Sequence, residues 1–152
     1  YANEITKKVK NSVMQAIKQG VSESELTRIL MEEGDGFTEK WAATVARTKT
    51  TEIYNQARKT YWDTDPIASQ IIEAYKFSAI LDDRTTEVCE KLDAMPPFTK
   101  GDFTDVMTPP LHFNCRSILV PVTKFEDYTP GTPVSIEKLK EWGAGLILPD
   151  SK

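Results

Sequence analysis

The sequence predicts an α+β domain, in which an N-terminal helical region packs on a small antiparallel β unit with a short helix and a long loop. Two observations predict this class. Apolar residues recur every four positions near the start of the chain, which is typical of amphipathic helices. Further on, apolar and polar residues alternate around residue 75, and a β-branched segment follows residue 115, as expected for strands.

We expect one compact domain in three parts. Residues 1–62 form the helical region, residues 63–127 an α+β cassette with its core at residues 80–122, and residues 128–152 a linker and a C-terminal helix. A length of 152 residues suits a single core. Because the chain begins at Tyr1 rather than Met, we expect it to be a fragment of a longer protein.

The helical region opens with two predicted helices. The first covers residues 2–19 and stops at Gly20, a residue that readily adopts the left-handed conformation. Ser22 or Ser24 caps the second, and residues 34–36 end it. Their apolar faces are Ile5, Val9, Val13, Met14 and Ile17 in the first, and Leu26, Ile29 and Leu30 in the second.

A long third helix is predicted from a cap at Thr38 to about Tyr61. Pro66 ends it, because proline disfavours helical geometry at the residue before it. Two stripes run along this helix. One side carries Trp41, Val45, Thr48 and Glu52, and a seam for close packing carries Ala42, Ala46, Ile53 and Ala57.

Two antiparallel strands are predicted for the β unit, in the second half of residues 71–80 and at residues 115–122. Alternate side chains of the pair should be buried against Trp41 and the long helix, because neighbours on a strand face opposite sides. The residues expected to contribute to the pair are Phe77, Ile80, Ile118, Leu119 and Val120.

Between the two strands, Asp82 or Asp83 is expected to cap a short helix over residues 84–92 that carries Cys89 on its inner side. Residues 93–111 form a long irregular loop, and loops of this length are usually functional or mobile. After a turn-rich linker, Ser135 caps a last helix that ends at Gly143. Its inward residues are Ile136, Leu139 and Trp142.

The composition is that of an ordinary globular protein, with 39% hydrophobic and 28% charged residues. The sequence has no apolar run of membrane-spanning length, so we expect no membrane contact. A net charge of −4 argues against a protein that coats DNA through many phosphate contacts. Residues 1–62 carry ten basic and eight acidic side chains, so a local DNA contact stays open.

Both cysteines and the only histidine lie in two motifs. These read Ile80-Leu-Asp-Asp-Arg-Thr-Thr-Glu-Val-Cys89 and Pro109-Pro-Leu-His-Phe-Asn-Cys-Arg-Ser-Ile-Leu-Val-Pro-Val122. The pair resembles the phage Mu protein F-like family of minor head proteins, in which Asp-x-Arg-Thr/Val-Cys-x-x-Cys precedes Pro-Pro-x-His-x-Asn-Cys-Arg-Cys. The segment Val45-Ala-Arg-Thr48 is similar to the Ala-Arg-Thr-Glu helix of many members. Thr86 and Ser117 depart from the pattern, since each stands where the family has a cysteine.

This resemblance implies a minor head protein of a tailed phage or prophage. Such a protein acts in capsid assembly or at the portal vertex, in the virion and in the host cytoplasm during assembly. Its implied partners are portal or capsid proteins, and its mechanism is binding rather than catalysis. Two alternatives stay open. One is an enzyme or toxin-associated module acting on nucleotide or RNA, and the other is a metal-stabilised adaptor domain.

Cys89, His112 and Cys115 have three interpretations. They could bind zinc, with Asp82, Asp83 or water completing the four ligands that a structural zinc site normally has. The thiols could instead be buried as small hydrophobes beside a structural histidine, or they could form a disulfide. Because the two missing family cysteines remove two thiolates, the sequence favours packed thiols and no cofactor.

Asp82, Arg84 and Arg116 complete the predicted structural cassette. Each arginine could pair with Asp82 or Glu87 and fix the turn between strand and helix, since a planar guanidinium suits a bidentate carboxylate. Alternatively, the two arginines could line a phosphate pocket. The sequence offers no clear nucleophile and base, so we expect no catalytic residue.

Overall fold

The computed structural model describes residues 2–33 and 38–145 and confirms the α+β class. The helices are α1 Ala2–Gln19, α2 Glu23–Glu33, α3 Glu39–Thr64, α4 Ala68–Ile71, α5 Glu87–Asp93 and α6 Ile136–Glu141. The strands are β1 Ile72–Ser78, β2 Phe98–Thr99 and β3 Ile118–Thr123, with a short 3-10 turn at Asp105–Met107. They form one antiparallel sheet in the order β2-β1-β3.

The three N-terminal helices follow the predicted apolar pattern. Gly20 has a φ of +68° and ends α1, while the Ser22 hydroxyl accepts a hydrogen bond from Glu25 N–H at the start of α2. The predicted break at residues 34–36 lies outside the described residues. The helices bury an aliphatic cluster, which we call the helical cluster: Val9, Val13, Ala16, Leu26, Leu30, Ala42 and Ala46.

Helix α3 is the longest element and runs three residues further than predicted. Thr38 caps it by accepting a hydrogen bond from Trp41 N–H. Asp65, which precedes the proline, is extended with ψ of 130°, as the proline requires. Two predicted contacts of α3 are wrong: Ala57 is exposed, and Trp41 packs edge-on against Phe113 instead of against the strands.

The strand pair forms in the predicted antiparallel sense, with Phe77 opposite Leu119. Both of these side chains are buried. Ile118 and Val120 lie on the other face of β3 and are exposed, as the alternation along a strand requires. Ile80 was expected in the strand pair, but it follows the end of β1 and is exposed.

The short helix α5 begins at Glu87, later than predicted, and its N-cap is Thr86 rather than an aspartate. Asp82 instead organises the preceding turn, where its carboxylate accepts a hydrogen bond from Arg84 N–H. In the last helix, Ser135 accepts a bond from Lys138 N–H, as predicted for a cap. Ile136 is exposed rather than inward, whereas Leu139 is buried.

The long loop between α5 and β3 is packed against the rest of the fold. It contributes β2, the 3-10 turn and several core side chains to a second cluster, which we call the cassette cluster. The buried loop residues are Phe98, Phe103, Met107 and Leu111, and they pack with Tyr75, Phe77, Val88, Leu92 and Leu119. In the described part of the chain, no helix has the length and hydrophobicity needed to cross a membrane.

Candidate functional site

The structure brings the two cysteines and the histidine together. Cys89 Sγ lies 3.1 Å from His112 Nε2 and 3.8 Å from Cys115 Sγ, and the three ligand atoms lie within 4.8 Å of one another. Both thiols are free and buried, while His112 is half-buried. We call these three residues the Cys–His cluster.

Three separate segments position the cluster. Cys89 is in the first turn of α5, and His112 follows the cis Pro109–Pro110 bond. Asn114 then turns the chain with a φ of 60°, a conformation that asparagine tolerates better than most residues. Cys115 follows immediately, so that its thiol faces that of Cys89.

Helix α3 holds the second half of the cassette through hydrogen bonds from side chains to backbone. Asn114 N–H donates to Thr48 Oγ1 at 3.0 Å, and Thr51 Oγ1 donates to the carbonyl of Cys115 at 3.1 Å. Asn55 is buried and makes two hydrogen bonds to the cassette: its Nδ2 donates to the Ser117 carbonyl, and its Oδ1 accepts from Leu119 N–H. Its amide therefore satisfies two backbone groups at the free edge of β3.

This role of α3 was not predicted from the sequence. Thr48 was placed on one stripe of the helix, and Thr51 and Asn55 were not singled out. A signal was nevertheless present, because residues 48, 51 and 55 are spaced as neighbours on one helical face. Polar side chains on the inward face of a helix indicate backbone partners elsewhere in the fold.

The protonation of the cluster is set by contacts inside it. The pKa of the Cys115 thiol is lowered, chiefly because the Cys89 thiol bonds to its thiolate form, and His112 acts in the same direction. The pKa of Cys89 is raised by the same partner and by burial. The pKa of His112 is raised by the Cys115 thiolate. The contacts inside the cluster therefore stabilise the thiolate form of Cys115 more than that of Cys89.

Thr86 and Ser117, the two departures from the family pattern, lie beside Cys89. Both hydroxyls are close enough to lower the pKa of its thiol. Thr86 Oγ1 is buried and has no hydrogen-bond partner of good geometry in the described part of the chain. Residues 86 and 117, which differ from the pattern that the motifs resemble, are thus both close to Cys89 in the fold.

Of the predicted ion pairs, the structure forms the one between Arg116 and Asp82. The pairing is bidentate, at 2.8 Å and 2.6 Å, and it lowers the pKa of the Asp82 carboxyl. Arg84 makes no ion pair among the described residues, and its side chain is exposed. The other candidate carboxylate, Glu87, pairs with Lys91 instead.

A cleft of about 940 Å³ lies between the helical region and the cassette. Arg47, Arg84 and Arg116 line it, and the acidic side chain among its lining residues is Glu23, which pairs with Arg47 at 2.7 Å. His112 and Phe113 form part of the wall. The Cys–His cluster is thus next to an open, predominantly basic cleft.

The chain was compared with protein families, curated proteins and solved structures. A family model described as phage Mu protein F like protein matches residues 7–120. Neither a curated protein nor a solved structure matches the chain. Residues 7–120 include α2, α3, the three segments of the Cys–His cluster and the whole lining of the cleft. The match covers most of the chain, and the protein therefore belongs to the phage Mu protein F-like family, a family of phage head morphogenesis proteins.

Proposed function

We propose that this protein is a minor head protein of a tailed phage that acts in capsid assembly at the portal vertex by binding the portal protein. One observation carries the proposal: every residue that lines the basic cleft lies within residues 7–120, the part of the chain that matches the family. The cleft is therefore a feature of the family region and not of the segments outside it.

The chemistry of the cleft supports an acidic segment as its occupant. Three arginines face one glutamate among the lining residues, and two of these arginines already pair with carboxylates, Arg47 with Glu23 and Arg116 with Asp82. Arg84 has no such partner in the described structure. A carboxylate of a partner could pair with its guanidinium, and guanidinium binds carboxylates with two parallel hydrogen bonds.

Aromatic side chains beside the arginines support a protein partner. Phe113 lines the cleft with about half of its surface exposed, and Trp41 packs against it with a centroid distance of 5.0 Å. Aromatic residues and arginines are enriched at the centres of protein–protein interfaces. An acidic segment with an apolar side chain would satisfy both kinds of group.

The test is copurification of the chain with the portal protein of the same phage from cells that make both. Arg84→Glu reverses a charge in the cleft without breaking an ion pair of the described fold, so we expect it to weaken the association. Lys140→Glu makes the same change of charge on an exposed residue of α6 that does not line the cleft. This control should leave the association unchanged.

Failure of the folded protein to bind portal protein at any salt concentration would contradict the proposal. Equal binding by wild type and Arg84→Glu would place the interface elsewhere. The enzyme alternative makes a different prediction, namely turnover of a nucleotide or RNA that is lost in Arg84→Glu and His112→Ala. We expect no turnover.

A further inference from the structure

The separation of the two sulfurs in the Cys–His cluster matches that of a metal site. A tetrahedral zinc ion with Zn–S bonds of about 2.3 Å holds its two sulfurs about 3.8 Å apart. The distance between Cys89 Sγ and Cys115 Sγ is 3.8 Å. The same geometry places an imidazole nitrogen about 3.6 Å from each sulfur, and His112 Nε2 lies 3.1 Å from Cys89 Sγ. The remaining separation, between His112 Nε2 and Cys115 Sγ, is no more than 4.8 Å.

The histidine is oriented as a ligand. Its Nδ1 lies 2.8 Å from the carbonyl oxygen of Phe113. A carbonyl accepts but cannot donate, so Nδ1 carries the proton and the neutral ring has its lone pair on Nε2. That lone pair faces the sulfurs. A backbone carbonyl bonded to the far nitrogen is one of the common partners of a histidine that binds metal.

The cluster is fixed by contacts outside itself. Thr48 and Thr51 of α3 hold the backbone of Asn114 and Cys115, and α5 presents Cys89. Cys89 and Cys115 are almost fully buried, with 2% and 1% of their surfaces exposed. The two thiols are therefore held in place before any metal arrives, which limits the ordering that binding would require.

We propose that Cys89, His112 and Cys115 bind a zinc ion, with an oxygen in the fourth position. The oxygen is either a water or Thr86 Oγ1, whose hydroxyl is buried beside Cys89 and lacks a good hydrogen-bond partner in the described residues. Binding converts both thiols to thiolates, and the protons that they carried go to solvent. The site ties α5 to the segment before β3 across 26 residues of chain.

This proposal departs from what the sequence favours. With Thr86 and Ser117 in place of two cysteines, the pattern predicts packed thiols and no cofactor. The three remaining ligands are nonetheless close together, oriented and buried. Three protein ligands with water in the fourth position is the arrangement of catalytic zinc sites.

The first measurement is the metal content of reduced protein purified without chelator, followed by titration of the stripped protein with Co²⁺. We expect stoichiometric zinc, and a thiolate-to-cobalt charge-transfer band that competing zinc removes. His112→Ala and Cys115→Ser should abolish the band. Reduced, folded wild type with neither zinc nor a cobalt band would overturn the proposal, and so would a Cys89–Cys115 disulfide that persists in the presence of a reductant.

Because removal of a ligand can also unfold the chain, a variant that gains one keeps the test decisive. Thr86→Cys supplies a thiolate beside Cys89, and we expect it to tighten zinc binding by more than the about tenfold that even an outer-shell partner contributes. Thr104→Cys is the matched control. Both threonines are N-cap residues whose side chains make no capping hydrogen bond, but Thr104 is not part of the cluster. An equal zinc affinity for both variants would overturn the proposed fourth position.

Discussion

The helical cluster and the cassette cluster are built on different principles. The helical cluster is aliphatic, and its residues recur at helical spacing along three consecutive helices. The cassette cluster is rich in aromatic residues and joins segments that are far apart in sequence, such as Phe77 of β1 and Leu119 of β3. A repeat along the chain therefore determines the first cluster, whereas pairing between distant segments determines the second.

Helix α3 takes part in both regions by different means. Ala42 and Ala46 belong to the helical cluster and allow close approach of the neighbouring helices. Further along, Thr51 and Asn55 contact the cassette through hydrogen bonds to its backbone. The apolar contact tolerates small shifts, but a hydrogen bond to a particular carbonyl requires one position. These hydrogen bonds therefore indicate that α3 fixes the position of the cassette backbone beside it.

The largest expected effect tests strand alternation in the cassette. Leu119 is 1% exposed and Val120 is 37% exposed, although they are neighbours on β3. Leu119→Ala should lower the free energy of unfolding by about 2–5 kcal/mol, because it removes buried methyl groups and leaves a cavity. Val120→Ala should lower it by less than about 1 kcal/mol, the span of strand propensities. Urea denaturation of the two variants gives both values.

Leu30→Ala provides the counterpart in the helical cluster, where the side chain is also fully buried. Its expected cost lies in the same range of about 2–5 kcal/mol. A single urea transition that both Leu30→Ala and Leu119→Ala shift without changing its slope would show that both clusters support one cooperative unit. Equal, small costs at Leu119 and Val120 would show that β3 is not a half-buried strand.

The second prediction concerns the hydrogen bonds that connect the two regions. Asn55→Ala removes the partner of both the Ser117 carbonyl and Leu119 N–H. Because an unsatisfied buried polar group costs about 1–3 kcal/mol, we expect Asn55→Ala to lower the free energy of unfolding by at least that amount. Thr60→Ala, at an exposed position further along α3, should change it by no more than about 0.5 kcal/mol.

Amide hydrogen exchange of Leu119 would separate the local from the global part of this effect. Its N–H donates to Asn55 Oδ1 in the native fold. Loss of protection at this amide, beyond the global destabilisation, is expected in Asn55→Ala but not in Thr60→Ala. Unchanged protection in both variants would mean that Asn55 does not hold the edge of β3.

The helical region could largely be predicted from the sequence, because helical contacts follow a local repeat. The bounds of α1, the caps at Ser22 and Thr38 and the stop at Gly20 all depend on residues within a few positions. The antiparallel strand pair was also predicted from local alternation. The exposed side chain of Ala57 shows the limit of such a prediction. Regular spacing indicates which side of a helix is buried, but not how far along the helix the neighbouring element extends.

The site was predicted only in part. The two motifs hold both cysteines and the only histidine, and this predicted the three residues of the Cys–His cluster. A sequence does not, however, give the distances between atoms of residues that are 23 to 26 positions apart. The start of α5 was placed too early because either aspartate can cap a helix, and Asp82 instead accepts a bond from Arg84 N–H. The sequence left open a pocket lined by Arg84 and Arg116, but it did not add Arg47 to that pocket, because Arg47 comes from a different element, α3.

The smallest expected effect on stability comes from removing an ion pair, and one ion pair in each region can be compared. Arg116 pairs with Asp82 across 34 residues of chain, whereas Arg28 pairs with Glu25 and Glu32 within α2. A local helix pair can persist in part in the unfolded chain, but the pair in the cassette requires the native fold. Arg116→Gln should therefore destabilise the protein slightly more than Arg28→Gln near neutral pH. Surface ion pairs contribute little, so both effects should be small.

The pH dependence identifies the partner of Arg116. The hydrogen bonds from Arg116 lower the pKa of the Asp82 carboxyl below its usual 3.8. A carboxyl with a lowered pKa in the folded state stabilises the fold above its unfolded pKa and loses that contribution as the pH falls. The stability difference between wild type and Arg116→Gln should thus be full near pH 7 and shrink once the pH falls below about 3.8. A difference that stays constant through this range in urea denaturation would show that Arg116 acts through packing rather than through the Asp82 carboxylate.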